Sequence, residues 1–215
     1  MDSVLHLFQQ LIDPEKLILF GGVTLILIVV FVENGLFFGF FLPGDTLLFT
    51  TGLFCATGIL NTSILFLLGT ISLSAVLGNL AGYAFGKKMG EALLSKKDTL
   101  LFKKKYVLAA EAFFVKYGGL ALIMGRFLPI IRTFAPIFAG IVKFDFKKFL
   151  TYNIIGGLLW VFSMLLLGYF LGIMFPQIKE HLELFIGGIV VITWIPVIKT
   201  YLSERKKVKK TKEQV

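Results

Sequence analysis

Two long stretches of this 215-residue chain, residues 17–86 and 117–142, are almost free of charge. Only four charged side chains interrupt them, and these are Glu33, Asp45, Arg126 and Arg132. The whole chain is 57% hydrophobic and 16% charged, whereas a soluble domain carries roughly a quarter charged residues. Several segments reach the ~20 apolar residues that a spanning helix needs. The sequence therefore predicts an all-α integral membrane protein.

The four charges in these stretches are divided by sign along the chain. Both acids, Glu33 and Asp45, precede both arginines, Arg126 and Arg132. An ionisable group at membrane depth is costly, and it usually faces a polar cavity or a partner of opposite charge. We therefore expect acids and arginines to meet inside the bilayer, an arrangement typical of transport proteins.

The net charge of +9 is concentrated in two runs beside apolar segments. One run lies in a polar connector at 87–107 and the other in the tail at 203–215. Such runs favour the cytoplasmic side and contact with anionic lipid headgroups, so we expect no nucleic-acid partner. Cys55 is the only cysteine, which excludes an intramolecular disulfide and a cysteine metal cluster.

Broken and unbroken apolar segments alternate along the chain. The unbroken segments predict spans at 62–86, 149–174 and 183–202. The broken segment at 108–142 must enter and leave on one side, because a single crossing would place the lysines after it opposite the basic connector. This predicts a re-entrant hairpin or two short spans, and the prolines at 129 and 136 favour the hairpin.

A second segment, 33–60, has the same pattern, and in both segments proline or glycine marks the break. The predicted breaks are Pro43, Gly44, Pro129 and Pro136. The resulting fold is an inverted repeat of two facing re-entrant hairpins, each followed by a transmembrane helix, with further helices at the N- and C-terminal ends. Residues 1–202 form one membrane domain. Paired broken segments in two halves indicate a binding site near the middle of the bilayer.

Two motifs resemble the DedA family, also called the SNARE-associated or VTT-domain family. They are FLPGD at residues 41–45 and GRFLPIIRTFAP at residues 125–136, and the similarity extends over about residues 17–175. Asp45 stands where many members carry glutamate, which keeps the charge and shortens the side chain.

This resemblance implies a multi-pass protein of the bacterial inner membrane that transports lipid with coupling to protons. It implies undecaprenyl phosphate or a phospholipid as the substrate, without a cofactor or a metal. The acids and arginines that matter in the family correspond to Glu33, Asp45, Arg126 and Arg132.

The chemistry of the four side chains agrees with a phosphate substrate. A guanidinium offers paired donors to two phosphate oxygens, so Arg126 and Arg132 are the predicted phosphate-binding residues, with Thr133 as a hydroxyl donor. Glu33 and Asp45 would pair with the arginines, take up protons, or do both, since burial favours the neutral form of a carboxyl.

Other interpretations of these residues stay open at this point. The four charges could only hold the hairpins together as ion pairs. The two acids could instead serve a proton-coupled exporter of cationic compounds or a pH-homeostasis protein. A lipid phosphatase is disfavoured because the apolar segments contain no histidine to activate a nucleophile, so we do not expect an enzyme.

Several other residues receive weaker predictions. Asn153 and Tyr152 are caps or cavity lining, and Trp160 and Trp194 are packing or interface residues. The glycines at 78, 82 and 86 predict a close helix contact, or else the face of a homo-oligomer.

Overall fold

The computed structural model describes residues 14–36, 39, 42–94, 112, 114 and 116–175. These residues form the helices α1 (Pro14–Gly35), α2 (Gly44–Ala56), α3 (Ile64–Leu94), α4 (Leu120–Gly125), α5 (Pro129–Ile141) and α6 (Phe146–Met174). The predicted span at 183–202, Trp194, the tail at 203–215 and most of the basic connector lie outside the described residues.

Three of these helices, α1, α3 and α6, are long and apolar enough to cross a membrane. With 22 residues, α1 is about 33 Å long, which matches a hydrocarbon core of about 30 Å. Helices α2 and α5 have 13 residues each, or about 20 Å, and are too short to cross alone. An all-helical membrane fold is thus confirmed, and the re-entrant inverted repeat stays a prediction.

The boundaries differ from the predicted ones in two places. Glu33 does not begin a hairpin, because α1 continues through it to Gly35 and is kinked at Gly22 (φ 53°, ψ −148°). Only a residue without a Cβ adopts this backbone conformation readily. In α3, the helix continues to Leu94, well into the predicted connector, because lysine, methionine, glutamate and alanine are strong helix formers.

The predicted break at Pro136 is wrong. Pro136 lies inside α5, which continues to Ile141. The proline removes one backbone hydrogen bond, and the neighbouring helix compensates by packing against it, since its ring lies beside Gly82 of α3. The observed break is at residues 126–128, and Pro129 begins α5 at a position where the fixed φ of proline suits a helix.

The short helices pack on the spans of the opposite half of the chain. Helix α2 lies mainly along α6, and α5 lies mainly along α3. Each pair is joined closely by glycines from both partners. In the first pair Gly52 meets the Leu165 backbone and Gly168 meets the Phe49 backbone.

The second pair repeats this arrangement. Gly140 of α5 meets the Tyr83 backbone, and Gly86 of α3 meets the Ile137 backbone. Small residues allow helix backbones to approach closely inside a membrane. The glycines at 78, 82 and 86 therefore make a helix contact within the chain, as α3 lies against α1 near Gly35 and then against α5.

A buried apolar cluster fills the space between α1, α2, α3 and α6. Its members include Ile26, Leu47, Ile71 and Trp160, each no more than 1% exposed. The cluster surrounds one side of the charged residues described below. Charges so enclosed cannot be solvated by bulk water and depend on partners within the protein.

Substituting the glycines of α3 tests this packing. A Cβ at residue 86 would collide with the Ile137 carbonyl, whereas a Cβ at residue 69 meets nothing within 4 Å. We expect Gly86→Ala to destabilise the protein by about 1–3 kcal/mol. We expect Gly69→Ala to be neutral or stabilising by up to about 1 kcal/mol. Thermal unfolding in detergent measures both, and an equal loss in the two variants would contradict this helix packing.

Candidate functional site

The two breaks in the chain bring three charged side chains together. Glu33 lies in the last turn of α1, Asp45 in the first turn of α2, and Arg132 in the first turn of α5. Their exposed fractions are 0%, 9% and 3%. The ends of three helices thus place opposite charges in one enclosed region, although Arg132 is far from both acids in sequence.

Arg132 binds both acids at once. Its Nη1 donates to Asp45 Oδ1 at 2.6 Å, and its Nη2 donates to Glu33 Oε1. A planar guanidinium can hold two acceptors with fixed geometry, so Arg132 connects the first break to the second. Removing one member of such a buried ion pair leaves the other charge uncompensated.

Trp160 of α6 forms another wall of the same cluster. Its Nε1 donates to Asp45 Oδ1 at 2.7 Å, and the Arg132 Cζ lies 4.6 Å from its ring centroid. The indole therefore stabilises the acid by a hydrogen bond and the cation by its π face. The sequence analysis assigned Trp160 to packing and missed this role, since an isolated tryptophan in a span gives no indication of its partners.

Gly44 allows Glu33 to reach this position. A Cβ at residue 44 would overlap the Glu33 carboxylate. The sequence analysis selected Gly44 as a break in the chain. The structure shows a second reason for glycine at this position, because the absence of a side chain leaves space for the Glu33 carboxylate. The residue before it, Pro43, ends the break and precedes the first residue of α2.

Arg126 lies in a different environment from Arg132. It is 1% exposed and belongs to the turn between α4 and α5. Its Nη2 donates to the side-chain oxygen and to the backbone carbonyl of Asn153, the latter at 3.2 Å. Within the described part of the chain, no acid pairs with Arg126, and its Nε and Nη1 have no hydrogen-bond partner.

A chain of asparagines continues from Arg126 to α1. With its amide oriented to satisfy its neighbours, the Asn79 side-chain oxygen accepts from Arg126 Nη2 at 2.7 Å, and its nitrogen donates to the Asn34 backbone oxygen at 3.0 Å. All three asparagines are buried. Asn153 also donates to the Val76 carbonyl at 3.1 Å. Helices α3 and α6 thus supply neutral polar groups to one guanidinium, and the Asn34 backbone of α1 supports Asn79 behind it.

Thr133 is also buried, next to Arg132 on α5. Its predicted role as a hydroxyl donor to phosphate stays a prediction. The sequence analysis left Asn153 between a cap and a cavity residue and did not select Asn79 at all. Asparagine within an otherwise apolar span was the available signal, since buried amides need hydrogen-bond partners.

Known proteins resemble this chain over most of its length. Residues 42–170, more than half of the chain, match the family model described as the VTT domain. The matched range includes Asp45, Arg126 and Arg132 and begins after Glu33. No solved structure matches the chain.

Three relatives illustrate the similarity. An uncharacterized membrane protein of Mycobacterium tuberculosis is 39% identical over 204 residues, covering 92% of this chain and 89% of the relative. Protein DedA of Escherichia coli is 34% identical over 199 residues, covering 91% and 89%. Inner membrane protein YghB of Escherichia coli is 35% identical over 176 residues, covering 82% and 78%.

The contrast between the two arginines predicts unequal effects of their substitution on stability. Arg132→Gln leaves two carboxylates side by side, so we expect a loss of about 3–5 kcal/mol. Arg126→Gln removes a buried cation that no acid contacts, so we expect a much smaller loss or a gain. Thermal unfolding in detergent provides the measurement.

The pH dependence gives a check on the cause. The loss in Arg132→Gln should shrink as pH falls, because protonation removes the repulsion between Glu33 and Asp45. The exposed Lys147→Gln serves as a control that removes a cation elsewhere. Equal destabilisation by the two arginine substitutions would contradict the assignment of the acids to Arg132.

Proposed function

This chain belongs to the DedA family of VTT-domain proteins of the bacterial inner membrane, and we propose that it moves a phosphate-bearing lipid between the two leaflets. The proposed substrate is undecaprenyl phosphate or a phospholipid, and the proposed driving force is proton uptake. The observation that supports it best is the buried pair of arginines, of which one is bound by two acids and the other by none in the described residues.

Arg126 Nε and Nη1, which have no hydrogen-bond partner among the described residues, favour an anion with several acceptor oxygens. A phosphate group matches a guanidinium in shape and charge better than a single acceptor does. Both acids contact Arg132 instead. A ligand with a negative headgroup could therefore bind Arg126 without first displacing a carboxylate.

The surroundings of the second break favour a lipid over a small soluble anion. Arg126 is buried, while its neighbours Met124, Phe127 and Leu128 are 68%, 46% and 42% exposed. Apolar side chains that point out of a membrane protein contact hydrocarbon. A substrate with an acyl or prenyl chain would leave that chain in the bilayer while its headgroup reaches the guanidinium.

The charge count connects phosphate binding to proton uptake. Glu33 and Asp45 balance Arg126 and Arg132, so the empty site is formally neutral when all four are ionised. One proton added to an acid leaves a single positive charge, which a singly charged phosphate would neutralise. Such a cycle keeps the net charge of the site at zero both without and with the phosphate, and a net charge buried in the membrane would be costly.

Of the two acids, Glu33 is the better candidate for proton uptake. It lies at the C-terminal end of α1, where the helix dipole opposes a negative charge, whereas Asp45 lies at the favourable N-terminal end of α2. Asp45 also accepts hydrogen bonds from both Arg132 and Trp160. In this proposal protonation of Glu33 weakens its contact with Arg132 and loosens the connection between the two breaks.

Transport in liposomes tests the proposed activity directly. We expect the wild type to move undecaprenyl phosphate between leaflets faster when a pH gradient is present. Arg126→Gln should slow this movement by about tenfold or more, equivalent to roughly 1.4 kcal/mol or more. Lys147→Gln is the control and should match the wild type. Phosphatidylethanolamine and a cationic dye, tested in parallel, distinguish a phospholipid transporter or a cation exporter from the proposed one.

The coupling is tested by removing the proton-accepting group. Glu33→Gln resembles the protonated acid, so we expect leaflet transport to persist but to lose its dependence on the pH gradient. A pH series with the wild type and Glu33→Gln measures this difference. Transport by the variant that keeps the wild-type response to pH would exclude Glu33 as the coupling residue.

A further inference from the structure

Arg126 is held in place by neutral amides. Asn153 accepts from Nη2 through two oxygens, and the Asn79 amide lies 2.7 Å from the same nitrogen. These contacts fix one side of the guanidinium and leave Nε and Nη1 without partners in the described part of the chain. An unpaired buried donor is costly, so these two nitrogens favour an acceptor other than the described residues.

Two glycines of α6 make room for this group. A Cβ at residue 156 would lie 3.2 Å from Arg126 Cδ and 3.3 Å from Nε, and a Cβ at residue 157 would lie 3.4 Å from Nη2. Larger side chains would crowd the guanidinium. Together with Asn153, Gly156 and Gly157 shape one face of α6 around Arg126.

Arg132 has a different set of partners. Two carboxylates and an indole ring surround it, so an incoming phosphate would have to compete with negative charges already in contact. Arg126 contacts no carboxylate of the described residues, so an anion bound there would not have to enter the acid pair.

We infer that Asn79 and Asn153, together with Arg126, form the phosphate-binding subsite, and that Arg132 lies outside it. The two amides orient the guanidinium and leave its charge unneutralised by contact, so that the phosphate of the ligand supplies the opposing charge. This inference rests on the proposed function and divides it between the two arginines. It departs from the sequence-based prediction that both arginines bind phosphate.

The test places a carboxylate where the ligand would act. In Asn153→Asp an acid of nearly unchanged shape faces Arg126 and forms an internal ion pair with it. We expect this ion pair to outweigh the hydrogen bond to the Val76 carbonyl that the variant loses, so that the ligand-free variant unfolds at a higher temperature than the wild type. We expect its affinity for a short-chain polyprenyl phosphate to fall at least about tenfold. Asn79→Asp approaches the same nitrogen from α3 and should behave in the same way, which covers the case in which one variant does not fold.

The control is Asn61→Asp, the same chemical change at an exposed position before α3, which should bind as the wild type does. The measurement is the ligand-induced shift of the unfolding midpoint for purified full-length protein in detergent. Polyprenyl phosphate is compared with the corresponding polyprenol, with inorganic phosphate and with phosphatidylethanolamine. A shift with polyprenyl phosphate and none with polyprenol assigns the effect to the phosphate, and a shift with inorganic phosphate identifies a site that does not need the lipid chain.

The outcomes separate the inference from the proposed function. If the wild type responds to a phosphate-bearing lipid and both aspartate variants respond equally, the subsite is elsewhere and only the inference is overturned. The same holds if both variants unfold at lower temperature while keeping the wild-type affinity. If the wild type responds to neither lipid, the proposed function is overturned together with the inference.

Discussion

The contact of Arg132 with Glu33 and Asp45 joins the ends of three helices across the two halves of the chain. An isolated charge at membrane depth is costly, and an opposite charge in direct contact reduces that cost. Gly44 leaves room for one carboxylate, and Trp160 donates to the other. The two breaks lie beside the helix ends that carry Glu33, Asp45 and Arg132, and this placement allows the three side chains to meet.

Arg126 shows the opposite solution to the same constraint. Amides from α3 and α6 surround it, and no acid of the described residues touches it. Amide oxygens can satisfy donors without removing the positive charge. The site therefore contains one guanidinium paired with two carboxylates and one whose described partners are neutral amides, a difference that the equal numbers of acids and bases in the sequence did not reveal.

The sequence predicted the membrane class, the long apolar helices and the four charges because each depends on local composition. Charge is so scarce in these segments that every ionisable residue is informative. The partners of each charge were harder to predict, because they depend on how distant helices pack. Trp160 and Asn153 look like ordinary span residues until α6 is placed beside the breaks. The prediction of a break at Pro136 was wrong because a proline inside a helix is tolerated when a neighbouring helix packs against it, and α3 packs against Pro136 at Gly82.

The exchange of partners between the halves, in which α2 lies along α6 and α5 lies along α3, has a consequence for biogenesis. Because the ribosome makes the chain from its N-terminus, α2 and its acid are synthesised well before the helix that encloses them. Until then the first half resides in the membrane, or in contact with the insertion machinery, while Asp45 lacks both Arg132 and Trp160. Completion of the fold is therefore a late step that only the second half can provide, and a chain truncated before α5 would lack both Arg132 and Trp160 and would expose an unpaired Asp45 carboxylate to the quality-control proteases of the membrane.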